Sequence, residues 1–235
     1  MSLMYRRVLL KVSGEFFSGE HEPINIDKVA ALAAEINSLC MIGVQLIVVL
    51  GAGNLCRGCQ LQKEGVNAVR ADHIGMLATV MNALALQDRL EVLGCPVAVR
   101  SAFDVKGIVP AFYRDEALAV LAAGTVLICA GGTGNPLVTT DTTAALRAIE
   151  LNAELVLKAT KVEGIYSADP FKYPDAILFS ELRFDEVIQR QLHVMDLSAF
   201  DLMRSHRIPV RVFNMTRPGV FQRIVNGEHE GTLVY

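Results

Sequence analysis

Hydrophobic and polar positions follow two patterns along the chain. Short apolar runs, typical of buried strands, alternate with longer stretches in which apolar residues recur every three or four positions, typical of helices. The strand pattern covers residues 5–12, 45–50, 97–101, 125–130, 155–159, 210–213 and 232–234. The helix pattern covers residues 27–41, 67–93, 114–123, 184–191, 198–205 and 218–225, with Pro218 at the first helical position, and another helix opens at Asp141. This alternation predicts an α/β fold, a three-layer αβα sandwich with a mainly parallel central sheet.

The composition is that of a globular protein. With 52% hydrophobic and 20% charged residues, the 235-residue chain can bury a large core. No internal repeat or Ser-, Pro- or Gly-rich linker interrupts it, so we expect residues 1–235 to form a single domain. A net charge of −3 argues against a nucleic-acid-binding surface. The apolar runs are too short to cross a bilayer and no signal-peptide pattern opens the sequence, so we expect a cytoplasmic protein without a membrane partner.

The five cysteines are odd in number and scattered, which indicates reduced thiols rather than a disulfide framework. Cys56 and Cys59 form a lone CxxC. A structural zinc site needs four ligands, and the sequence offers no second CxxC or HxxxH pair. We therefore expect no metal site built from these cysteines.

Small and polar residues follow several predicted strands at their carboxyl ends, where parallel sheets bind ligands. Lys11 precedes a Ser-Gly turn, residues 51–54 follow the second strand, and residues 131–140 (GGTGNPLVTT) connect a strand to the helix opening at Asp141. Glycines and a helix N-terminus suit a bound anion. The same connection also fits a tight turn capped by Thr or Asp, and Lys11 also fits a solvated lysine, since there is no Walker A motif.

The long helix over residues 67–93 carries a broad apolar stripe formed by Met76, Leu77, Val80, Met81, Leu84 and Leu86. Its methionines fit either core packing or a subunit interface. Asp72 lies near the helix start, where it is either a first-turn acid stabilised by the helix dipole or a side chain that faces the cleft.

Six sequence runs together carry a resemblance to a known family. They are KVSGE (11–15), GAGNLCRG (51–58), DHIGMLATVMN (72–82), GTGNPLVTTD (132–141), KATKVEGIYSADP (158–170) and VMDLSAF (194–200). In this order the chain resembles the bacterial UMP kinases of the amino acid kinase superfamily from about residue 5 to residue 235. The resemblance implies transfer of the ATP γ-phosphate to UMP, giving UDP and ADP, in pyrimidine nucleotide biosynthesis, with Mg²⁺ and as a homohexamer.

The resemblance also implies roles for individual residues. Lys11 and Lys158 would reach β- and γ-phosphate oxygens, and Asp141 would hold the two lysines in place. The ATP phosphate side would comprise Lys11, Val12, Ser13, Gly14, Gly53 and Arg57, and the adenosine side Thr160, Tyr166 and Asp169. UMP would contact Ala52, Asp72, Thr133, Gly134, Asn135, Pro136, Leu137, Val138, Thr139 and Thr140. Asp72 would suit ribose hydroxyls, because a carboxylate repels phosphate.

Four positions depart from the pattern of the resembled family. Ala52 stands where glycine is common, and its methyl group would crowd the nucleotide, although a contact to its backbone N–H would survive if φ stays negative. Many bacterial UMP kinases are activated by GTP through arginine and histidine side chains, and the matching positions here hold Gln87, Glu91 and Ala98. We therefore expect weak or absent GTP activation, although arginines at positions 89, 100 and 114 leave a rearranged site open.

Two other functions compete with UMP phosphorylation. Another enzyme of the superfamily, such as a carbamate or acetylglutamate kinase, would share the lysines and glycine turns, but the run beginning at Asp72 argues against it. A non-catalytic nucleotide-binding protein on this fold would be expected to lack Lys11, Lys158 or Asp141, and all three are present.

Overall fold

The computed structural model describes residues 3–56, 58–192 and 194–235. The strands of these described residues are β1 (Arg7–Val12), β2 (Gln45–Leu50), β3 (Val97–Ser101), β4 (Val126–Ala130), β5 (Leu155–Thr160), β6 (Glu181–Leu182), β7 (Val210–Asn214) and β8 (Thr232–Val234). The helices are α1 (Ile26–Met41), α2 (Gly58–Lys63), α3 (Ala68–Val92), α4 (Arg114–Ala122), α5 (Thr140–Glu150), α6 (Phe184–Gln189), α7 (Leu197–His206) and α8 (Val220–Val225), and a 3-10 turn covers Gly14–Phe16.

The strands form one eight-stranded sheet in the order β3-β4-β2-β1-β5-β7-β8-β6. Strand pairs are parallel except β7 with β8, which are antiparallel. The central strands are apolar on both faces because helices cover both faces of a parallel sheet, and almost every residue of β1, β2, β4 and β5 is buried. The predicted mainly parallel sheet is confirmed.

Two hydrophobic cores lie on opposite faces of the sheet. One packs α1, α3 and α8 against it, with Leu32, Leu86 and Phe221 among its members. The other packs α4, α5, α6 and α7, with Leu121 and Phe200 among its members. Helices, sheet and helices therefore form three layers, which confirms the predicted αβα architecture. None of the helices among the described residues is long and apolar enough to cross a membrane.

The start of the last helix differs from the prediction. The prediction that Pro218 is the first residue of this helix is wrong, because α8 begins at Val220. Gly219 precedes it with a φ of 69°, a left-handed conformation that ends the preceding turn, and Pro218 lies in that turn, where its carbonyl accepts a hydrogen bond from Arg223 at 3.0 Å.

Two short elements were also missed by the pattern. The six-residue α2 carries too few apolar positions to show a helical period, and the two-residue β6 is a strand only through its pairing with β8.

The strand order brings the polar turns together. β1 lies between β2 and β5, and β4 lies next to β2 on the other side. All four strands are parallel, so their carboxyl ends share one edge of the sheet. In the register of β1 and β5, Lys11 is paired directly with Lys158, so the two lysines point to the same face.

Candidate active site

Lys11 and Lys158 share a single carboxylate oxygen. The Nζ atom of each lysine lies 2.6 Å from Oδ1 of Asp141. Both lysines are buried, at 6% and 8% exposure, and the Asp141 side chain is 14% exposed. Two cations around one anion leave a net positive charge in a largely dehydrated site, which favours binding of a polyanion such as a phosphate chain.

The pKa values of this cluster reflect burial and mutual charge. Burial, and then the positive charge of Lys11, lowers the pKa of Lys158 to about 8, although the Asp141 carboxylate acts in the opposite direction. Burial acts to raise the pKa of Asp141, but the positive charges of Lys11 and Lys158 outweigh it, so this pKa lies below its ordinary value. The cluster therefore holds an ionised carboxylate at neutral pH, while its second lysine is close to losing its proton.

Asp141 is placed by the cap of α5. The hydroxyl oxygen of Thr139 accepts a hydrogen bond from the Asp141 backbone N–H at 3.1 Å, which makes Thr139 the N-cap of the helix. The same hydroxyl donates to the carboxylate of Asp196 at the start of α7. The predicted helix start is confirmed to within one residue, and Asp196 is a partner that sequence reasoning did not find.

The turns after β1 and β2 pack directly against each other. A β-carbon at Gly14 would lie 2.5 Å from Asn54 Oδ1, 2.6 Å from Gly53 N and 2.8 Å from Gly51 O, so only glycine fits at position 14. Ser13 precedes this glycine and Val12 ends β1 with a fully buried side chain, so Val12 can offer a ligand only its backbone. The structure thus packs the turn that carries Ser13 and Gly14 against the turn that carries Gly53, and Gly53 also lines the small cavity that contains Ala52 and Asp72.

Buried polar residues of α3 hold two of the glycine turns. Asn82, which is 0% exposed, donates to Gly51 O at 2.8 Å and exchanges amide hydrogen bonds with Asn54 at 2.8 and 2.9 Å. Thr79 accepts a hydrogen bond from Gly131 N at 2.8 Å. Sequence reasoning gave neither α3 residue a role. A polar residue inside an apolar helical stripe was the available signal.

Several residues assigned to UMP line a cavity of about 150 Å³ between β2, α3 and α5. Five of the predicted residues are among those that line it, namely Ala52, Asp72, Val138, Thr139 and Thr140. Asp72 faces this cleft and is not in the first turn of α3, whose N-cap is Asn67. Ala52 is among the described residues that do not have a positive φ, so its backbone conformation is an ordinary one for a residue with a side chain.

The remaining residues assigned to UMP form the loop over this cavity. Thr133 bonds to Asn135 within the loop, and the Leu137 N–H donates to Asp72 Oδ2 at 2.7 Å. Leu137 has a φ of 66° and is 76% exposed. Gly134 and Pro136 complete the loop and, like these three residues, are not among the described residues that line the cavity. The loop is therefore attached to the cavity wall through Asp72.

The residues assigned to adenosine line a second cavity, of about 570 Å³, beside the end of β5. Thr160, Tyr166 and Asp169 all lie on its wall. The Thr160 hydroxyl donates to backbone carbonyls of Val162 and Phe213 at 2.7 and 3.0 Å, so this side chain shapes the wall. The volume is within the range of pockets that hold drug-sized ligands.

Two predictions involve residues that are only partly described. Arg57, assigned to the ATP phosphates, lies outside the described residues, and so does the side chain of Cys59. Burial raises the pKa of the Cys56 thiol, which disfavours the thiolate that metals bind. Within the described ranges no group of three or more His, Cys, Asp or Glu side chains could hold a metal ion.

The geometry defines a class of protein. A buried lysine pair lies at the carboxyl edge of a parallel sheet, with one cavity beyond the end of β2 and another beyond the end of β5, and its net positive charge suits an anion such as phosphate. A sequence model of the amino acid kinase family matches residues 6–214, and the chain belongs to this family. The relationship inferred from the six sequence runs is confirmed.

Individual relatives narrow the comparison. The chain is 49% identical to the uridylate kinase of Aeromonas hydrophila subsp. hydrophila, over 98% of this chain and 95% of that protein. It is 48% identical to the uridylate kinase of Idiomarina loihiensis, over 98% and 94%. Its structure is similar to that of UMP kinase from Bacillus anthracis, with a TM-score of 0.95 at 35% identity over 98% and 96% of the two chains. The UMP kinase of Ureaplasma parvum gives a TM-score of 0.92 at 29% identity over 98% of each chain.

Proposed function

We propose that this chain is a UMP kinase, which transfers the γ-phosphate of ATP to UMP and releases UDP and ADP. The observation that carries the proposal is the contact of Lys11 and Lys158 with one Asp141 oxygen, at 2.6 Å each, at the carboxyl edge of the sheet. The larger cavity would hold adenosine and the smaller one UMP, with the phosphates meeting at the lysines. Identities of 48–49% to uridylate kinases support this choice of acceptor.

In the reaction a phosphate oxygen of UMP forms a bond to the γ-phosphorus, and the bond from that phosphorus to the β,γ-bridging oxygen breaks. The bond electrons leave with ADP. The transferring group carries negative charge spread over its oxygens, so catalysis rests on positioning and on fixed positive charge. Lys11 and Lys158 supply that charge, and Asp141 holds them in place. No residue needs to remove a proton, because the attacking phosphate oxygen is already ionised at neutral pH.

Mg²⁺ would enter with ATP. The described residues lack a three-ligand cluster, which fits an ion that keeps several waters and is held mainly by phosphate oxygens. When bound, it would neutralise part of the phosphate charge. Asp141, the acid beside the lysines that would bind the phosphates, already has one oxygen in contact with both of them.

Asp72 would recognise the acceptor. Its Oδ2 accepts the Leu137 N–H at 2.7 Å, and a carboxylate has about four acceptor positions on its two oxygens. It can therefore hold the loop and accept ribose hydroxyls at the same time. Placing Asp72 at the ribose also keeps its charge away from the phosphates.

The chain would assemble as a homohexamer in the cytoplasm, as the resemblance implies. Support for self-association comes from α3, where Ile74, Leu77 and Met81 are 44%, 51% and 53% exposed at helical spacing. Met76 and Val80 of the same helix are buried in the core. The exposed side chains would pack against another copy. Light scattering after gel filtration should give six times the 25.6 kDa chain mass, and Leu77→Glu should lower that mass.

The direct test measures ADP release from ATP and Mg²⁺ with UMP, CMP, dUMP or AMP as separate acceptors, together with carbamate and acetylglutamate. UMP should give the highest kcat/KM. Lys158→Ala should lower kcat by about two or more orders of magnitude. Lys161→Ala is the matched control, because this exposed lysine follows the same strand and should not change kcat. Faster turnover of another acceptor would refute the proposal.

A further inference from the structure

An exposed aromatic side chain borders the cavity assigned to adenosine. Phe171 is 81% exposed and lines the 570 Å³ cavity together with Thr160, Tyr166 and Asp169. Its ring therefore offers a free apolar face next to the space that a nucleoside would fill. Aromatic rings bind flat partners by offset stacking, and a nucleobase has two such faces.

The turn that carries Phe171 is fixed by hydrogen bonds. The Phe171 N–H donates to Asp169 Oδ1 at 3.0 Å, and the N–H groups of Lys172 and Tyr173 donate to the Asp169 carbonyl at 3.0 and 2.9 Å. At the base of the loop, Ser167 N donates to Ile177 O and Ile177 N donates to Ser167 Oγ, both at 2.9 Å. The backbone under the phenyl ring is thus arranged before any ligand arrives, which reduces the entropy lost on binding.

We propose that Phe171 stacks on the adenine of ATP and sets the preference of the enzyme for a purine donor. This inference rests on the proposed function, because it places ATP in the larger cavity. The larger ring system of a purine covers more of the phenyl face than a pyrimidine does, so the contact favours ATP over CTP or UTP. Asp169 acts through Phe171, since its carboxylate holds the backbone N–H of that residue.

The absence of tryptophan from the chain provides a direct binding test. Phe171→Trp introduces a single indole at the proposed stacking position. Titration with ATP or ADP should quench its emission in a saturable way, while UMP alone should leave it unchanged. If ATP, at concentrations that saturate catalysis by this variant, leaves the emission unchanged, no base lies on this side chain and the proposal is wrong.

Kinetics provide the second test. Phe171→Ala should raise the KM for ATP about tenfold, as expected for the loss of one base–aromatic stack, and should reduce the preference for ATP over CTP. The KM for UMP and kcat should stay within about twofold. Phe171→Tyr should retain the wild-type KM. Tyr173→Ala is the matched control, because this exposed aromatic residue on the same turn is not among the described residues lining the cavity.

The role of Asp169 is tested by comparing two substitutions. Asp169→Asn keeps an acceptor oxygen for the Phe171 N–H, so it should raise the KM for ATP less than Asp169→Ala, which should raise it as Phe171→Ala does. The two alanine substitutions together should add no further increase. If the two substitutions raised the KM for ATP independently and additively, Asp169 would not act through Phe171.

The outcomes separate this inference from the proposed function. If the wild-type protein shows no UMP-dependent ADP release, the proposed function fails, while quenching of the Phe171→Trp emission by ATP still supports stacking. If the wild type is active but Phe171→Ala leaves the KM for ATP unchanged, the stacking proposal fails alone. An equal rise in Tyr173→Ala would assign the effect to the whole turn and would also overturn stacking.

Discussion

Replacing Asp141 with Asn should lower the pKa of Lys158. This lysine would then be neutral near pH 7.5, and the enzyme would lose most of its activity. The two ammonium nitrogens each lie 2.6 Å from Asp141 Oδ1, so they are at most twice that distance apart. At an effective dielectric constant of about 20, two unit charges at this separation repel each other by about 3 kcal/mol. The wild-type carboxylate offsets this repulsion. An amide does not, because it carries no charge.

The expected consequence is a change in the pH profile. The pKa of Lys158 is about 8 in the wild-type protein, so this lysine loses its charge as the pH rises above that value. The logarithm of kcat/KM for ATP should therefore fall with rising pH above about 8, because at saturating UMP this ratio reports the groups of the enzyme–UMP complex before ATP binds. The wild-type pKa already includes the repulsion from Lys11, so what Asp141→Asn removes is the stronger attraction of the carboxylate at 2.6 Å, and this loss should lower the pKa of Lys158 by at least about two further units. Near pH 7.5 Lys158 would then be neutral, and kcat/KM should fall by about a hundredfold or more.

The assay is a coupled measurement of ADP release at saturating UMP and limiting ATP, from pH 6 to pH 9.5. Thermal unfolding of both proteins verifies that the variant is folded. Asp115→Asn is a suitable control, because this acid has a 95% exposed side chain and lies on α4. A well-folded Asp141→Asn protein that keeps its alkaline limb near pH 8 would show that the carboxylate does not maintain the charge of Lys158.

Three further predictions follow from the site and its surroundings. Asp72→Asn should raise the KM for UMP about tenfold and leave the KM for ATP nearly unchanged, because only the acceptor side loses a charged hydrogen-bond acceptor. The measurement is steady-state kinetics with each substrate varied. A larger rise in the KM for ATP would place Asp72 on the donor side. GTP titrated to millimolar levels at constant free Mg²⁺ should raise the rate less than twofold. The Glu91 carboxylate, whose partner at 2.8 Å is the neutral amide of Gln87, would repel a triphosphate. A saturating several-fold rise would contradict this expectation. Asn82→Ala should lower the free energy of unfolding by about 2 kcal/mol, because the buried amide pair with Asn54 is lost, and unchanged urea unfolding would show that water replaces it.

The strands were predictable because their apolar runs have a simple physical cause. Strands such as β2 and β4 are covered on both faces, so nearly every residue in them is hydrophobic and the run marks the strand. The order of the strands was not contained in this pattern. That Lys11 lies opposite Lys158 depends on β1 and β5 being neighbours, and residues 147 apart in sequence leave no local signal of such pairing.

The missed site residues share one property, which is that their partners are distant in sequence. Asn82 bonds to Asn54 across 28 residues, and Thr79 bonds to Gly131 across 52 residues. Helical periodicity identifies which positions are buried, but it does not identify which buried polar side chain will find a partner. The misplaced start at Pro218 has the opposite cause, since a good local propensity was overruled by the left-handed conformation of Gly219.

The attachment of both turns to α3 has a mechanical consequence. Thr79 and Asn82 are three residues apart, which is about 4.5 Å along a helix axis, and the intervening backbone is a continuous hydrogen-bonded ladder. The separation between the Gly131 and Gly51 turns is therefore set by the rise of the rigid helix α3 and not by loop flexibility. Any closure during turnover has to come from segments outside α3. The distance between Gly51 and Gly131 should therefore be the same in empty and nucleotide-loaded crystals. The two glycine turns would then keep their positions during turnover while segments outside α3 move.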